Sequence, residues 1–336
     1  MISVKDATRT AVVAAAVCVS LASAASAAVN IDTVPVGNPG NAADTETGYG
    51  TVDYDYNIGK YEVTAGHYTA FLNAVAATDT YGLYNTNMWS ISTGCKIQRT
   101  GSPGTYTYSV ASDWANRPVN YVSWGDAARF ANWLSNGQPT GTQNAGTTED
   151  GAYVLNGATN NAALLAVTRE ADWKWAITSE DEWYKAAYHK NDGVTGHYFD
   201  YPTGSDSVPS NVLGNPTDPG NNATFWANGY TIGSPYYRTK VGDHENSDSP
   251  YGTFDQGGNV WEWNEAIIDG SYRGLRGGAF VSNDYSLHAA FRLNYYPADE
   301  VIGIGFRVAE VPEPATMSLL ALGGLGMLAR RRSVRG

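Results

Sequence analysis

No stretch constrains this chain more than Asp255-Gln-Gly-Gly-Asn-Val-Trp-Glu-Trp263. Gly257-Gly258 allows a backbone bend that residues with a Cβ reach only under strain, and such a bend turns carbonyls to one side. Beyond it, Trp261 and Trp263 alternate with Val260 and Glu262, so one strand face can pack while the other offers oxygen atoms. Asp255 and Glu262 place two carboxylates seven residues apart around the turn. Hard cations such as calcium take carboxylates mixed with backbone carbonyls, and this stretch carries both. A plain tight turn leading into a buried strand is the other reading, and the residues alone leave both open.

The surrounding chain has the composition such a turn-rich segment needs. Gly (37), Tyr (23) and Trp (10) are abundant among 336 residues, which points to a loop-rich fold packed by aromatics and not to a helical bundle. A hydrophobic content of 43% suffices for the core of one large or two modest domains. The net charge is −12, and the basic residues gather at the two ends, so the middle of the chain is more acidic still. That balance argues against nucleic acid and anionic membranes as partners and suits cations and neutral ligands.

Three helices are expected. The first follows Thr64 as N-cap, with Tyr68, Phe71, Leu72 and Val75 on one apolar stripe. His67 beside that stripe reads as a surface or core residue. The second starts at Ser123 with Asp126 as an acidic capping partner, and the third at Thr178 with Asp181 in the matching place. In the third, Trp183, Ala186 and Ala187 face inward, while Glu182 and Lys185 are spaced to pair on the outside. Asn30–Val36, Tyr54–Tyr61, Arg273–Phe280 and Ile304–Ala309 read as strands. Residues 78–116 read as a long loop carrying Trp89, Cys95 and Trp114. Residues 135–160 read as an exposed insertion with a short hairpin at Ala152–Leu155, and 191–258 are largely aperiodic.

The two ends have their own logic. Lys5 and Arg9, the apolar run Ala11–Leu21 and the small residues Ala25-Ser-Ala27 make residues 1–28 a secretory leader. At the other end, Val311-Pro-Glu-Pro314 precedes the apolar run Ala315–Ala329 and then Arg330-Arg-Arg332 and Arg335. That run is shorter than the roughly 20 residues that cross a bilayer comfortably, and the arginines behind it orient it with the basic end inside. Cys18 belongs to the leader, so the mature chain keeps only Cys95. A lone thiol forms no intrachain disulfide and no cysteine metal cluster; the expectation for it is a tolerated surface thiol.

Six pieces of the chain, in order, carry a resemblance. They are Lys60-Tyr-Glu-Val-Thr64, Arg117-Pro-Val-Asn-Tyr-Val-Ser-Trp124, Thr178-Ser-Glu-Asp-Glu-Trp-Tyr-Lys-Ala-Ala187, Asp255–Trp263, Arg276-Gly-Gly-Ala-Phe280 and Gly305-Phe-Arg-Val308. Together they resemble the formylglycine-generating enzyme (sulfatase-modifying factor) family. The resemblance implies an α+β, loop-rich fold of low regular content, similar to that of C-type lectins, over residues 29–310. It implies calcium ligands at the Asp255 carboxylate, the Gly258 and Val260 carbonyls and the Glu262 carboxylate, with a second site through Asn222. The tail 311–336 resembles a PEP-CTERM sorting signal of Gram-negative bacteria, which implies processing by an exosortase-type enzyme and transient membrane insertion.

The family's oxidase holds copper with two cysteines five residues apart. Counting back from Arg292 and Gly305-Phe-Arg307, those positions fall on Asp284 and Ala289, and neither supplies the thiolate that Cu(I) takes. Copper is therefore not expected. Related nonheme-iron enzymes take histidines from an additional helical domain. This chain has histidines at 67, 189, 197, 244 and 288, with no His-x3-His pair. Gly-x-Ser-x-Gly, Gly-x4-Gly-Lys-Ser/Thr and His-Glu-x2-His are absent as well. Two functions stay open. One is an exported, calcium-stabilised binding or structural module for a polysaccharide or matrix protein at the Gram-negative cell surface. The other is a metal-dependent oxidoreductase of the same family with an altered metal site.

Overall fold

Each of the three main helices begins at a hydroxyl that closes a capping box. Thr64 and His67, Ser123 and Asp126, and Ser179 and Glu182 exchange side-chain-to-backbone hydrogen bonds across the first turn. The computed structural model describes residues 28–214 and 220–311. Apart from Ala28 and Val311, the expected leader and sorting tail, with Cys18 and the apolar run 315–329, lie outside the described residues. Among the described residues no helix is long and apolar enough to cross a membrane.

The chain opens with β1 (Thr33–Val36) and β2 (Tyr56–Gly59), then α1 (Ala65–Val75) and a one-turn α2 (Asn87–Ser90). A hairpin of β3 (Ile97–Thr100) and β4 (Thr107–Val110) follows, then a short α3 (Ser112–Ala115) and the long α4 (Trp124–Ser135). Next come α5 (Asn161–Leu165), β5 (Trp175–Ile177) and α6 (Glu180–Tyr188). After the irregular stretch come β6 (Trp261–Ile268), β7 (Tyr272–Arg276), β8 (Leu293–Tyr295), β9 (Ile304–Gly305) and β10 (Val308–Glu310). Two four-stranded sheets result, ordered β1-β2-β10-β5 and β8-β7-β6-β9. They share the segment 304–310, because β9 runs parallel to β6 while β10 pairs with both β2 and β5. Helix α4 packs against β5 of one sheet and β6 of the other, and its Phe130 meets Phe71 of α1, Trp133 of its own helix and Phe306 between β9 and β10 at 5.3–5.7 Å between ring centres. The result is the α+β, loop-rich architecture that the resemblance implies.

Four local expectations are corrected. Residues 78–116 are not one loop: they hold the β3–β4 hairpin and two short helices. Residues 135–160 are exposed only in part, as at 136–137, 140–142 and 144–146, while 147–149 and 152–153 turn inward. Glu149 receives the Arg129 guanidinium at 2.7 and 3.0 Å, Asn132 Nδ2 donates to the Thr148 and Tyr153 carbonyls, and Tyr153 is fully buried. Polar residues go inside when every donor finds an acceptor, and composition alone does not reveal that. The third helix is capped by Ser179, one residue later than expected, and its Glu182 and Lys185 do not pair outside. Both are fully buried, Glu182 on Arg169 at 2.7 Å and Lys185 Nζ on the Asn38 carbonyl at 2.9 Å. Cys95 is not a surface thiol; it is sealed in the main core, 3.9 Å from the Asn120 carbonyl.

Candidate functional site

The organising turn is threaded between two other segments. Gly258 has φ +92°, and a Cβ there would sit 2.2 Å from the Thr224 carbonyl oxygen. Asn259 N donates to that carbonyl at 2.8 Å, and Gly258 N donates to the Gly277 carbonyl at 2.9 Å. Gly277, at φ +98°, has the Gln256 carbonyl 2.4 Å from where its Cβ would be. Only glycine fits such approaches. From this knot β6 enters the interior. Val260, Trp261, Glu262 and Trp263 are all buried, so here the face that carries the Glu262 oxygens is as closed as the face that packs.

Glu262 shows why. Its Oε2 accepts from Arg307 Nε and from Trp183 Nε1, each at 2.6 Å, and its Oε1 accepts from Arg307 Nη2 at 2.8 Å. Arg307 also donates to the Gly59 and Phe254 carbonyls, joining β2, β6 and the turn in one bidentate knot. Three further arginines repeat the device: Arg169 with Glu182 and Glu265, Arg276 with Glu180, and Arg129 with Glu149. Burial raises the Glu182 carboxyl, but Arg169, Tyr54 and the Ser179 backbone more than reverse this and leave it below its ordinary value.

The other residues implied as calcium ligands are spread around that knot. Asp255 accepts from Gly242 N at 2.6 Å, and burial pushes its carboxyl up to about 7. Glu62, buried beside it, has neither oxygen in a hydrogen bond; burial and the neighbouring Asp255 hold its pKa well above the usual carboxylate range. Asn222 donates its backbone N–H to Ser247 Oγ at 2.9 Å and keeps a buried Oδ1 with no partner. Among the described residues no three or more His, Cys, Asp or Glu side chains are grouped to hold a metal ion. A cation fits Asn222 Oδ1 as an oxygen donor; it does not fit Glu262, whose oxygens already hold a guanidinium. Copper does not fit the pair Asp284 and Ala289, the first on a 3-10 turn and the second buried.

Two clefts come next. One of about 540 Å³ has Glu170 as its single ionisable lining residue and so little chemistry. The other, about 350 Å³, gathers Asp44, Glu46, Lys190, His197, Asp200 and His288 next to Ala289. In it His288 Nε2 stands 3.9 Å from Asp200 Oδ1, too far for a hydrogen bond.

Sequence reasoning missed a surface feature. Trp226, Tyr230, Val281 and Tyr285 are 42%, 41%, 45% and 62% exposed. Trp226 meets Tyr230 edge-on at 4.7 Å, and Tyr230 meets Tyr237 at 5.1 Å and Phe280 at 6.3 Å. Trp226 N donates to the Ser282 carbonyl at 2.8 Å, which brings the loop 226–230 beside 280–285. Farther along, Tyr285 meets Phe291 at 5.1 Å, and Phe291 meets Trp261 at 5.8 Å. The aromatic density of residues 225–237 was the available signal, but nothing local joins that segment to 280–291.

A family model described as the sulfatase-modifying factor enzyme 1-like domain matches residues 33–311, and a PEP-CTERM protein-sorting motif matches residues 310–333. No curated protein matches. Among solved structures, the crystal structure of CarF is similar with a TM-score of 0.54 and 22% identity, over 84% of this chain and 99% of that one. Treponema denticola variable protein 1 is similar with a TM-score of 0.51 and 19% identity, over 85% of this chain and 97% of that one. At such identities the likeness shows the fold.

Proposed function

This chain belongs to the sulfatase-modifying factor enzyme 1-like domain family and carries a PEP-CTERM sorting motif, and we propose that it is an exported binding or structural module that keeps the family's frame without its copper oxidase chemistry. The observation that carries this reading is the state of its one mature thiol. Cys95 is fully buried, and burial pushes its thiol up, away from the thiolate that binds copper. Asp284 and Ala289 supply no second sulfur. Incubation with copper, oxygen and a Cys-x-Pro-x-Arg peptide is expected to give no aldehyde. Turnover, above all turnover that survives Cys95→Ser, overturns the reading.

The sorting motif directs export to the cell envelope and processing by an exosortase-type system. We place the mature domain on the outer surface or in the extracellular matrix, after transient insertion of Ala315–Ala329, with a polysaccharide or matrix protein as its partner. Intact-mass analysis that finds residues 315–336 still attached to the native protein contradicts that processing. Calcium stays in the proposal as a stabilising ion. The Gly258 and Val260 carbonyls with Asp255 form the proposed first site, with Glu262 as the structural anchor beside them, and the unpartnered Asn222 Oδ1 supports the second site.

A further inference from the structure

We propose that the strip formed by Trp226, Tyr230 and Tyr285 is a platform for a neutral polysaccharide chain; this rests on the binding-module reading and gives it a place and a ligand class. Pyranose rings present C–H faces that stack on aromatic rings and hydroxyl edges that need hydrogen-bonding neighbours. The strip offers both. Its three residues are each more than 40% exposed, and the two loops that carry them also hold Ser282 and the exposed Asn228 and Asn283. Each exposed ring also carries its own polar tip, an indole N–H or a phenol O–H.

The platform is held in shape. Trp226 and Tyr230 face each other across an isolated bridge, Ala227 N donates to the Gly229 carbonyl at 3.1 Å, and Asn211 Nδ2 donates to the Phe225 and Gly229 carbonyls. Tyr237 and the almost fully buried Phe280 back Tyr230, Tyr230 in turn holds Trp226, and Phe291 backs Tyr285. A ligand therefore meets rings that are already ordered, which lowers the entropic cost of binding.

Charge selects among polymers. Residues 226–230 and 280–288 contain no lysine or arginine and include Asp284, in a chain whose net charge is −12. The one arginine found beside these rings, Arg238 at 5.5 Å from the centre of Phe280, is fully buried, so an acidic polysaccharide meets Asp284 with no exposed cation among these residues to offset it, whereas a neutral one meets no repulsion. A protein partner is less suited. A stable protein interface needs on the order of 1,000 Å² with a continuous apolar centre, and here amides and a hydroxyl interrupt the rings.

Affinity electrophoresis of the full chain through gels containing cellulose ether, chitosan-free chitin oligomers, soluble starch, laminarin or dextran tests the proposal, with alginate as the anionic control. Retardation is expected in at least one neutral gel and not in alginate. Trp226→Ala, Tyr230→Ala and Tyr285→Ala should each weaken that retardation by about threefold to tenfold, the value of one stacked ring. Trp89→Ala, which removes another exposed aromatic, should leave it unchanged. Circular dichroism and melting of each variant separate lost folding from lost binding. No retardation in any neutral gel overturns the platform, as does an effect of Trp89→Ala equal to that of Trp226→Ala, or a matrix protein that binds through these three rings instead. None of these results produces aldehyde from the peptide, so failure of the platform is distinguishable from failure of the binding-module reading.

Discussion

Arg307 and Trp226 belong to two regions that use similar residue types in opposite ways. Around Arg307, carboxylates and indoles close on each other: Glu262 takes two bonds from the guanidinium and a third from Trp183, all with no exposure to water. Around Trp226, aromatic rings touch edge-on and stay open to solvent, with no ion pair among them. The first region carries the densest sequence motif in the chain, and the exposed rings of the second, Trp226, Tyr230 and Tyr285, lie outside all six motif pieces. A motif-rich stretch is thus evidence of a demanding frame as much as of a ligand. Four segments must meet at Glu262, and each of them constrains the residues that allow the meeting.

The largest effect expected from breaking this contrast lies at Glu262. Removing one partner of a buried ion pair leaves the other charge uncompensated and typically costs about 3–5 kcal/mol. Glu262→Ala should therefore lower the melting temperature sharply, and to the same extent in calcium and in chelator, because the loss is that of the Arg307 knot. Calcium acts through a different set. Chelator should lower the melting temperature of the wild type, and Asn222→Ala should reduce that response. A wild type indifferent to both chelator and millimolar calcium removes the ion from the proposal, and a Glu262→Ala variant that melts like wild type breaks the knot as described.

How far the sequence could be read follows the reach of each interaction. Thr64 and Ser123 were legible as helix starts because a capping box closes within four residues, and so was the stripe Tyr68, Phe71, Leu72 and Val75. At the third helix Thr178-x-x-Asp181 and Ser179-x-x-Glu182 both fit the pattern one residue apart, and the longer Glu182 side chain closes the box that forms. Glu182 and Lys185 looked like an exposed pair because only their own helix was in view. Arg169 and the Asn38 carbonyl, which hold them, arrive from elsewhere in the chain. The aromatic strip was invisible for the same reason: it exists only once Trp226 is bonded to Ser282.

An intermediate effect lies between the two regions, where a carboxyl is buried without an arginine. Glu300 accepts from Asn85 Nδ2 at 2.6 Å, and burial, with Asp126 beside it, pushes its carboxyl up to about 8. Asp126 is itself raised, to about 6, by burial. In the unfolded chain Glu300 ionises near 4.5, whereas in the fold it keeps its proton up to about 8. The native state therefore binds more protons across that interval, and stability falls as pH rises through it. Glu300→Gln, which is neutral in both states, should flatten the decline between about pH 5 and 8 and raise the melting temperature at pH 8 above that of wild type. An unchanged slope would mean that Glu300 is ionised in the fold.

The smallest expected effect is the one that separates frame from platform. Trp226 is 42% exposed and gives the fold one edge-on ring contact, with Tyr230, at 4.7 Å. An exposed pair of that kind contributes no more than about 1 kcal/mol. The Trp226 backbone N–H, which does hold 226–230 against Ser282, survives any side-chain substitution except proline. Trp226→Ala should therefore melt within a few degrees of wild type while losing retardation in the neutral polysaccharide gel, the reverse of Glu262→Ala at a temperature where that variant is still folded. Were Trp226→Ala to destabilise the chain as much as Glu262→Ala, the rings would be a second core that happens to reach the surface, and the contrast between the two regions would collapse.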